Sequence, residues 1–149
     1  MRDFHDYRPV MRAIKAAALV GITVDELVCG MAPGVDMTGY WFAKMARIPI
    51  IEKPALWDDI TVPGAVIRTR KDGRKYNVLA GLNRNEEMAL VADSLIAIWN
   101  GVSTGTGDMI SRMRKHNKRL MVWDVTENQA MDKDKPVRDI VKMIFEGYS

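Results

Sequence analysis

Residues 84–108 constrain the fold of this chain more than any other segment. The apolar run at residues 94–99 lies between two polar stretches, and a turn rich in glycine, serine and threonine follows at residues 101–106. This order predicts a helix end, a buried strand, and a turn that opens a second helix. The first N–H groups of a helix lack intrahelical partners, and with the positive end of the helix dipole they bind anions, phosphate above all. The segment therefore favours a nucleotide-like ligand.

Helical and strand patterns alternate along the rest of the chain. The predicted helices are residues 7–20, 35–46, 78–91, 106–115 and 136–145, and the predicted strands are residues 26–31, 48–51, 94–99 and 120–123. Such alternation predicts an α/β fold with a mainly parallel sheet. In these sheets ligands bind beyond the carboxyl ends of the strands.

Residues 64–78 are predicted to form a basic β-hairpin inserted in the middle of the chain. The Asp72-Gly73 pair lies between two short apolar segments, which is a strong hairpin signal. The basic side chains of this segment are Arg68, Arg70, Lys71, Arg74 and Lys75. Both a solvated loop and contacts with nucleic acid would explain this charge.

Composition limits the class of protein. The 149 residues are expected to form one domain, since 48% are hydrophobic and 28% charged, with a net charge of +3. No apolar run approaches the roughly 20 residues that span a bilayer, so no membrane association is expected. The single cysteine, Cys29, is interpreted as an inert buried thiol and indicates a reducing cytoplasm. No spacing of His, Cys and Asp indicates a metal site, and no cofactor is expected.

Five ordered motifs carry a resemblance to a known family. They are Arg2-Asp3-Phe4 with Asp6-Tyr7, CGMAPGVD at residues 29–36, PALW at residues 54–57, Ala80-Gly81 with Arg84-Asn85 and Met88, and Trp99-Asn100-Gly101 with Ser103, Gly105-Thr106 and Asp108. Together these motifs resemble the SLOG superfamily of Rossmann-like nucleotide-binding domains, most closely its YspA-like branch. The superfamily includes the Lonely Guy phosphoribohydrolases and the DNA-processing A protein. The resemblance implies a three-layer α/β/α architecture.

The chain departs from the family pattern in three places. Met109 stands where the Lonely Guy signature has its glutamate, and a thioether cannot stabilise an oxocarbenium-like transition state as a carboxylate does. The strand that normally precedes the Arg2-Asp3 pair is missing. The start could be misassigned, a partner chain could supply the strand, or the sheet could close without it. The basic hairpin is the third departure.

The resemblance also implies roles for individual residues. Arg84 would neutralise a phosphate and Asp108 would act as acid or base, and these two are the candidate catalytic residues. The remaining candidates would bind the ligand: Arg2, Gly30, Gly34, Asp36, Trp57, Asn85, Gly101, Ser103, Thr104, Gly105 and Thr106. Structural explanations stay open beside these roles. Asp36 and Asp108 could simply compensate helix dipoles, and Trp57 could belong to the core.

Three hypotheses for the function follow. In the first, the protein binds a nucleotide or nucleotide-derived ligand and hydrolyses an N-glycosidic bond. In the second, it binds such a ligand without chemistry, as a sensor or sequestering protein. In the third, the hairpin binds single-stranded nucleic acid. A homo-oligomer, dimeric or larger, is expected because a missing strand would leave a sheet edge to be paired.

Overall fold

This computed structural model describes residues 7–125, which contain four helices and six strands. In chain order they are α1 Tyr7–Leu19, β1 Leu27–Cys29, α2 Val35–Met45, β2 Ile50–Glu52, β3 Ile67–Thr69, β4 Lys75–Asn77, α3 Ala80–Val91, β5 Ser94–Trp99, α4 Thr104–Lys115 and β6 Arg119–Asp124. Three predictions lie outside this range: the ligand-binding role of Arg2, the fate of the missing strand before it, and the loop and helix at residues 126–145.

The strand pairing confirms the predicted α/β class. β1 pairs with β2 in parallel over three positions, and β5 pairs with β6 in parallel over six. β3 and β4 form the predicted antiparallel hairpin around Asp72-Gly73. Within residues 7–125 the parallel strands form two separate pairs, since no strand joins β1 to β5.

Helices cover both faces of β5. Ile96 and Ile98 pack with α1 and β6 in a cluster whose largest buried side chain is Trp123. Leu95, on the opposite face, packs against a second cluster formed by α3 and α4. Helix–strand–helix layering of this kind was expected for the fold, and it accounts for the nearly continuous apolar sequence of β5.

The predicted boundaries of β1 and β2 are wrong, for local reasons. β2 was expected at residues 48–51 but begins at Ile50. The Ile48 N–H group donates to Ala43 at the end of α2, and Pro49 has no N–H group to pair. β1 ends at Cys29 rather than at Met31, because Met31 adopts a left-handed conformation with φ of 58°.

Candidate functional site

Three helices begin at the same edge of the strands. α2 and α4 follow the carboxyl ends of β1 and β5, and α3 begins there because it runs back into β5. None of the three has a side-chain hydrogen bond from its N-cap residue, which is Gly34, Leu79 or Ser103. Since helix N-termini carry partial positive charge, this edge favours a negatively charged ligand.

The turn before α4 is held by the side chains of its neighbours. The Asn100 Oδ1 atom accepts the N–H groups of Val102, at 3.1 Å, and Ser103, at 2.8 Å. The Trp99 Nε1 atom donates to the Ser103 carbonyl at 2.9 Å. Gly101 has a φ of 80°, a conformation that glycine adopts without strain. These contacts fix the turn before any ligand arrives.

The first turn of α4 remains open beyond these contacts. The helix begins at Thr104, two residues before the predicted start, so Thr104 and Gly105 belong to the helix rather than to the loop. Both residues are exposed, and no N-cap side chain covers the amides of the first turn. Thr104 and Gly105 are thus the exposed residues of this turn whose N–H groups have no cap from the Ser103 side chain.

Arg84 joins α3 to the loop after β1. Its Nη1 atom donates to the Gly30 carbonyl, and its Nε atom donates to Asn85 Oδ1 at 3.1 Å. A Cβ atom added to Gly30 would lie 2.7 Å from both Arg84 Nη1 and Asp36 Oδ2. The side chains of Arg84 and Asp36 therefore both lie against Gly30, and any larger residue at this position would clash with them.

Asp36 lies in the first turn of α2 in a desolvated position. Burial raises the pKa of its carboxyl group, although a hydrogen bond from the Ala32 N–H group and the charge of Arg84 act in the opposite direction. A carboxylate kept here at an energetic cost is the kind of group that functional sites retain.

Asn85 connects this region to α4. Its side chain is only 7% exposed, and its Nδ2 atom donates to the Gly105 carbonyl at 3.2 Å and to Asp108 Oδ2 at 3.0 Å. The same oxygen of Asp108 accepts a hydrogen bond from Arg112 Nε at 2.8 Å. The structure thus brings Asn85, Gly105 and Asp108 together, with Asp108 in an ion pair.

A polar cluster behind Asp108 was not predicted from the sequence. Arg112 also bonds Glu86 at 2.8 Å, and His116 Nε2 lies 2.6 Å from the same carboxylate. Arg112 first, and then His116, lower the pKa of Glu86. The spacing of Asp108, Arg112 and His116, four residues apart on one helix, was the available signal.

The two tryptophans differ in their surroundings. Trp57 lies in the loop after β2, is 38% exposed, and packs against Gly81 in the first turn of α3. Trp99 is held under the α4 turn, where its ring contacts Gly107. Trp57 is therefore partly accessible, whereas Trp99 is engaged in holding the turn before α4.

The hairpin carries exposed charge that is partly neutralised. Arg70 pairs with Asp58 at 2.7 Å and lies over the Tyr76 ring, 4.9 Å from its centroid. Arg74 pairs with Asp72 at 2.9 Å. At least two of its five basic side chains therefore already have carboxylate partners.

A cavity of about 310 Å³ lies between β1 and β5. Asp36 and Cys29 line it, whereas the turn at residues 101–106 does not. Burial raises the pKa of Cys29 to about 11, in agreement with its interpretation as an inert buried thiol. The cavity and the α4 turn are thus different places in the molecule.

Two classes of feature are absent from residues 7–125. No group of three or more His, Cys, Asp and Glu side chains there could hold a metal ion. No helix in that range has the length and apolar character needed to cross a membrane.

Comparison with known proteins gave no match. No family model, no curated protein and no solved structure matches this chain. The residues of the site are therefore the only basis for inferring a function.

Proposed function

We propose that this protein binds a nucleotide or nucleotide-derived ligand at the carboxyl edge of its strands, as its resemblance to SLOG domains implies. The open first turn of α4 carries this proposal. The N–H groups of this turn would hold the phosphate. The Arg84 guanidinium would add positive charge, since Arg84 bonds to Asn85 and Asn85 bonds to the Gly105 carbonyl. Asp36 would accept ribose hydroxyl groups across Gly30.

The contacts of Asp108 favour binding without hydrolysis. One oxygen of this carboxylate already accepts hydrogen bonds from Asn85 and Arg112. An oxygen that is already engaged by two protein donors is less available for proton transfer with a ligand. The position of Met109 supports the same conclusion, because no carboxylate replaces the family glutamate.

Replacing Gly105 by alanine tests the phosphate site. A Cβ atom at Gly105 meets nothing within 4 Å, so Gly105→Ala should leave the fold intact and stabilise α4 by about 0.5–1 kcal/mol. The new methyl group would nevertheless occupy the space through which a phosphate approaches the amides. We expect nucleoside monophosphates, tested by isothermal titration calorimetry, to bind at least about tenfold more weakly to this variant.

Gly39→Ala is the matched control. Gly39 lies inside α2, and a Cβ atom there also meets nothing within 4 Å, so the stability gain should be similar and the affinity unchanged. The proposal fails if no nucleoside monophosphate binds the natural protein, or if Gly105→Ala binds as well as Gly39→Ala does.

A second assay separates binding from hydrolysis. The protein is incubated with nucleoside monophosphates, and released base is measured by chromatography. We expect intact nucleotide with binding retained. Release of base that Asp108→Asn abolishes, while affinity persists, would instead assign Asp108 as acid or base and make the protein a hydrolase.

A further inference from the structure

The positive charge of this protein is concentrated in its β-hairpin. Residues 64–78 carry five basic side chains and one acidic side chain, whereas the whole chain has a net charge of +3. The rest of the chain therefore has no excess of positive charge. All three residues of β3 are exposed, and so are residues 71–75, so the hairpin presents its charge to solvent. This distribution favours a negatively charged partner at the hairpin.

The register of the hairpin places three arginines around one aromatic ring. Arg68 lies directly opposite Tyr76. Arg70 and Arg74 continue the ladder by one step, since the Arg70 N–H group donates to the Arg74 carbonyl at 2.8 Å. Side chains of opposed residues, and of residues two apart on one strand, share a face of a β-ribbon. Arg68, Arg70, Arg74 and Tyr76 therefore form one surface, the arginine face.

Ion pairs divide the cations of the hairpin into two groups. Arg70 pairs with Asp58 at 2.7 Å, and Arg74 pairs with Asp72 at 2.9 Å. The cations that have no carboxylate partner within residues 7–125 are Arg68, Lys71 and Lys75. Their charges remain available for phosphate groups, which bind cations through charge-assisted hydrogen bonds.

Arg70 and Tyr76 form a stack that exists without a ligand. The guanidinium carbon of Arg70 lies 4.9 Å from the centroid of the Tyr76 ring, and the ion pair with Asp58 holds it there. The Arg70 side chain is still 32% exposed, so a planar group can lie against it. Unpaired nucleic-acid bases stack on aromatic rings and on arginine guanidinium groups. An acidic peptide or a phospholipid headgroup would use the charges but not this stack.

The base of the hairpin is fixed to the body of the protein. Asn77 is only 1% exposed, and its Oδ1 atom accepts the N–H groups of Val66 and Leu79, each at 3.1 Å. The Asn77 N–H group donates to the Trp57 carbonyl at 2.8 Å. Because this anchor is buried, the arginine face is held in place before a ligand binds, which reduces the entropy cost of binding.

We propose that the arginine face binds single-stranded nucleic acid. Arg68, and Lys71 at the tip of the hairpin, would contact phosphate groups, while bases would stack on the pair formed by Arg70 and Tyr76. Lys75 alternates with Tyr76 along β4 and lies on the other face, so it would not contact the strand. The proposal uses none of the residues of the nucleotide site and stands independently of it.

Fluorescence anisotropy of a labelled oligodeoxythymidine of about 15 nucleotides tests the proposal on the full chain. We expect binding that weakens as salt rises from about 50 mM to about 200 mM. Arg68→Gln removes one phosphate contact, so the slope of log K against log salt concentration should become shallower by about 0.7. Lys75→Gln removes an equal charge from the other face of the same hairpin and is the matched control. It should keep the slope of the natural protein.

A second pair of variants separates stacking from charge. Tyr76→Ile keeps a residue that favours strands but removes the ring, whereas Tyr76→Phe keeps the ring. We expect Tyr76→Ile to bind about tenfold more weakly with an unchanged salt slope, because stacking of one base contributes a factor of this size. Tyr76→Phe should bind as the natural protein does. Thermal unfolding shows whether both variants fold, and the Arg68→Gln slope decides the matter if Tyr76→Ile does not.

Four results would overturn the proposal. One is the absence of binding at about 50 mM salt, both to this probe and to oligouridine of the same length. Another is an equal change of slope in Arg68→Gln and Lys75→Gln. A third is tighter binding of duplex DNA, or of vesicles with equal parts phosphatidylcholine and phosphatidylserine, by a folded Tyr76→Ile variant that loses no affinity. The last is displacement of the strand by nucleoside monophosphate together with weaker binding to Gly105→Ala, which would place the strand in the nucleotide site.

Discussion

The two parallel pairs of this protein differ in length and in burial. β5 and β6 pair over six positions and bury Ala97, Ile98, Met121 and Trp123. β1 and β2 pair over three positions, and Cys29 is their only buried residue. Stability is therefore concentrated in the β5–β6 pair, whereas Gly30, Gly34 and Asp36 extend from the weaker pair. Such a division is common, because ligand-binding elements are drawn from the less stable parts of a fold.

Truncating one apolar side chain in each pair should give the largest contrast. Met121→Ala removes a side chain that is 1% exposed, and we expect it to lower the free energy of unfolding by about 2–5 kcal/mol. Ile51→Ala removes a half-buried side chain of β2 and should cost less than about 1.5 kcal/mol. Urea denaturation measures both values. Equal losses would show that the two pairs contribute alike and would remove the basis of the comparison.

The next contrast concerns Asn85, which connects α3 to α4, the helix that follows β5. Asn85→Ala would remove a buried side chain that donates both to the Gly105 carbonyl and to Asp108. Loss of a buried hydrogen-bonding group costs about 1–3 kcal/mol. The control, Asn83→Ala, changes an exposed residue of the same helix and should alter the free energy of unfolding by less than about 0.5 kcal/mol. Similar values for the two variants would mean that Asn85 does not hold the helices together.

Local pattern was sufficient to predict the strongest elements. The apolar run from Ser94 to Trp99 is long and has sharp polar flanks, and its predicted bounds are confirmed. The hairpin was predicted from Asp72-Gly73, because few other sequences provide the backbone that a tight turn requires. β2 was misplaced since the competing bond from Ile48 to the end of α2 cannot be read from apolar periodicity.

The site was predictable as a set of candidates but not as an arrangement. Glycines and hydroxyl residues before a helix indicate an anion site on their own. The contact of Arg84 with Gly30 joins residues 54 positions apart, and only the folded chain brings them together. The same applies to Asp108, whose partners Asn85 and Arg112 decide whether its carboxylate is available for chemistry.

The smallest predicted effect depends on pH and concerns Asp36, which follows the weaker β1–β2 pair. Burial places the pKa of folded Asp36 above its ordinary value of 3.8, so the unfolded chain releases this proton first as pH rises. Ionisation of Asp36 thus reduces stability progressively from pH 3.8 through the folded pKa. Asp36→Asn keeps an oxygen that can accept the Ala32 N–H group and removes the charge. We expect it to raise Tm at pH 7 and to have a diminishing effect as pH falls towards 3.8.

Asp59 is the matched control for Asp36, because its pKa shifts in the opposite direction. The hydroxyl and N–H groups of Thr61 lower the pKa of this exposed carboxylate. Its contribution to stability is present above its ordinary pKa and is lost as pH falls, so Asp59→Asn should lower Tm slightly at pH 7. Thermal unfolding of both variants between pH 7 and pH 4 separates the two cases. If Asp36→Asn also lowered Tm at pH 7, the charge of Asp36 would stabilise the fold, and its retention would need no ligand to explain it.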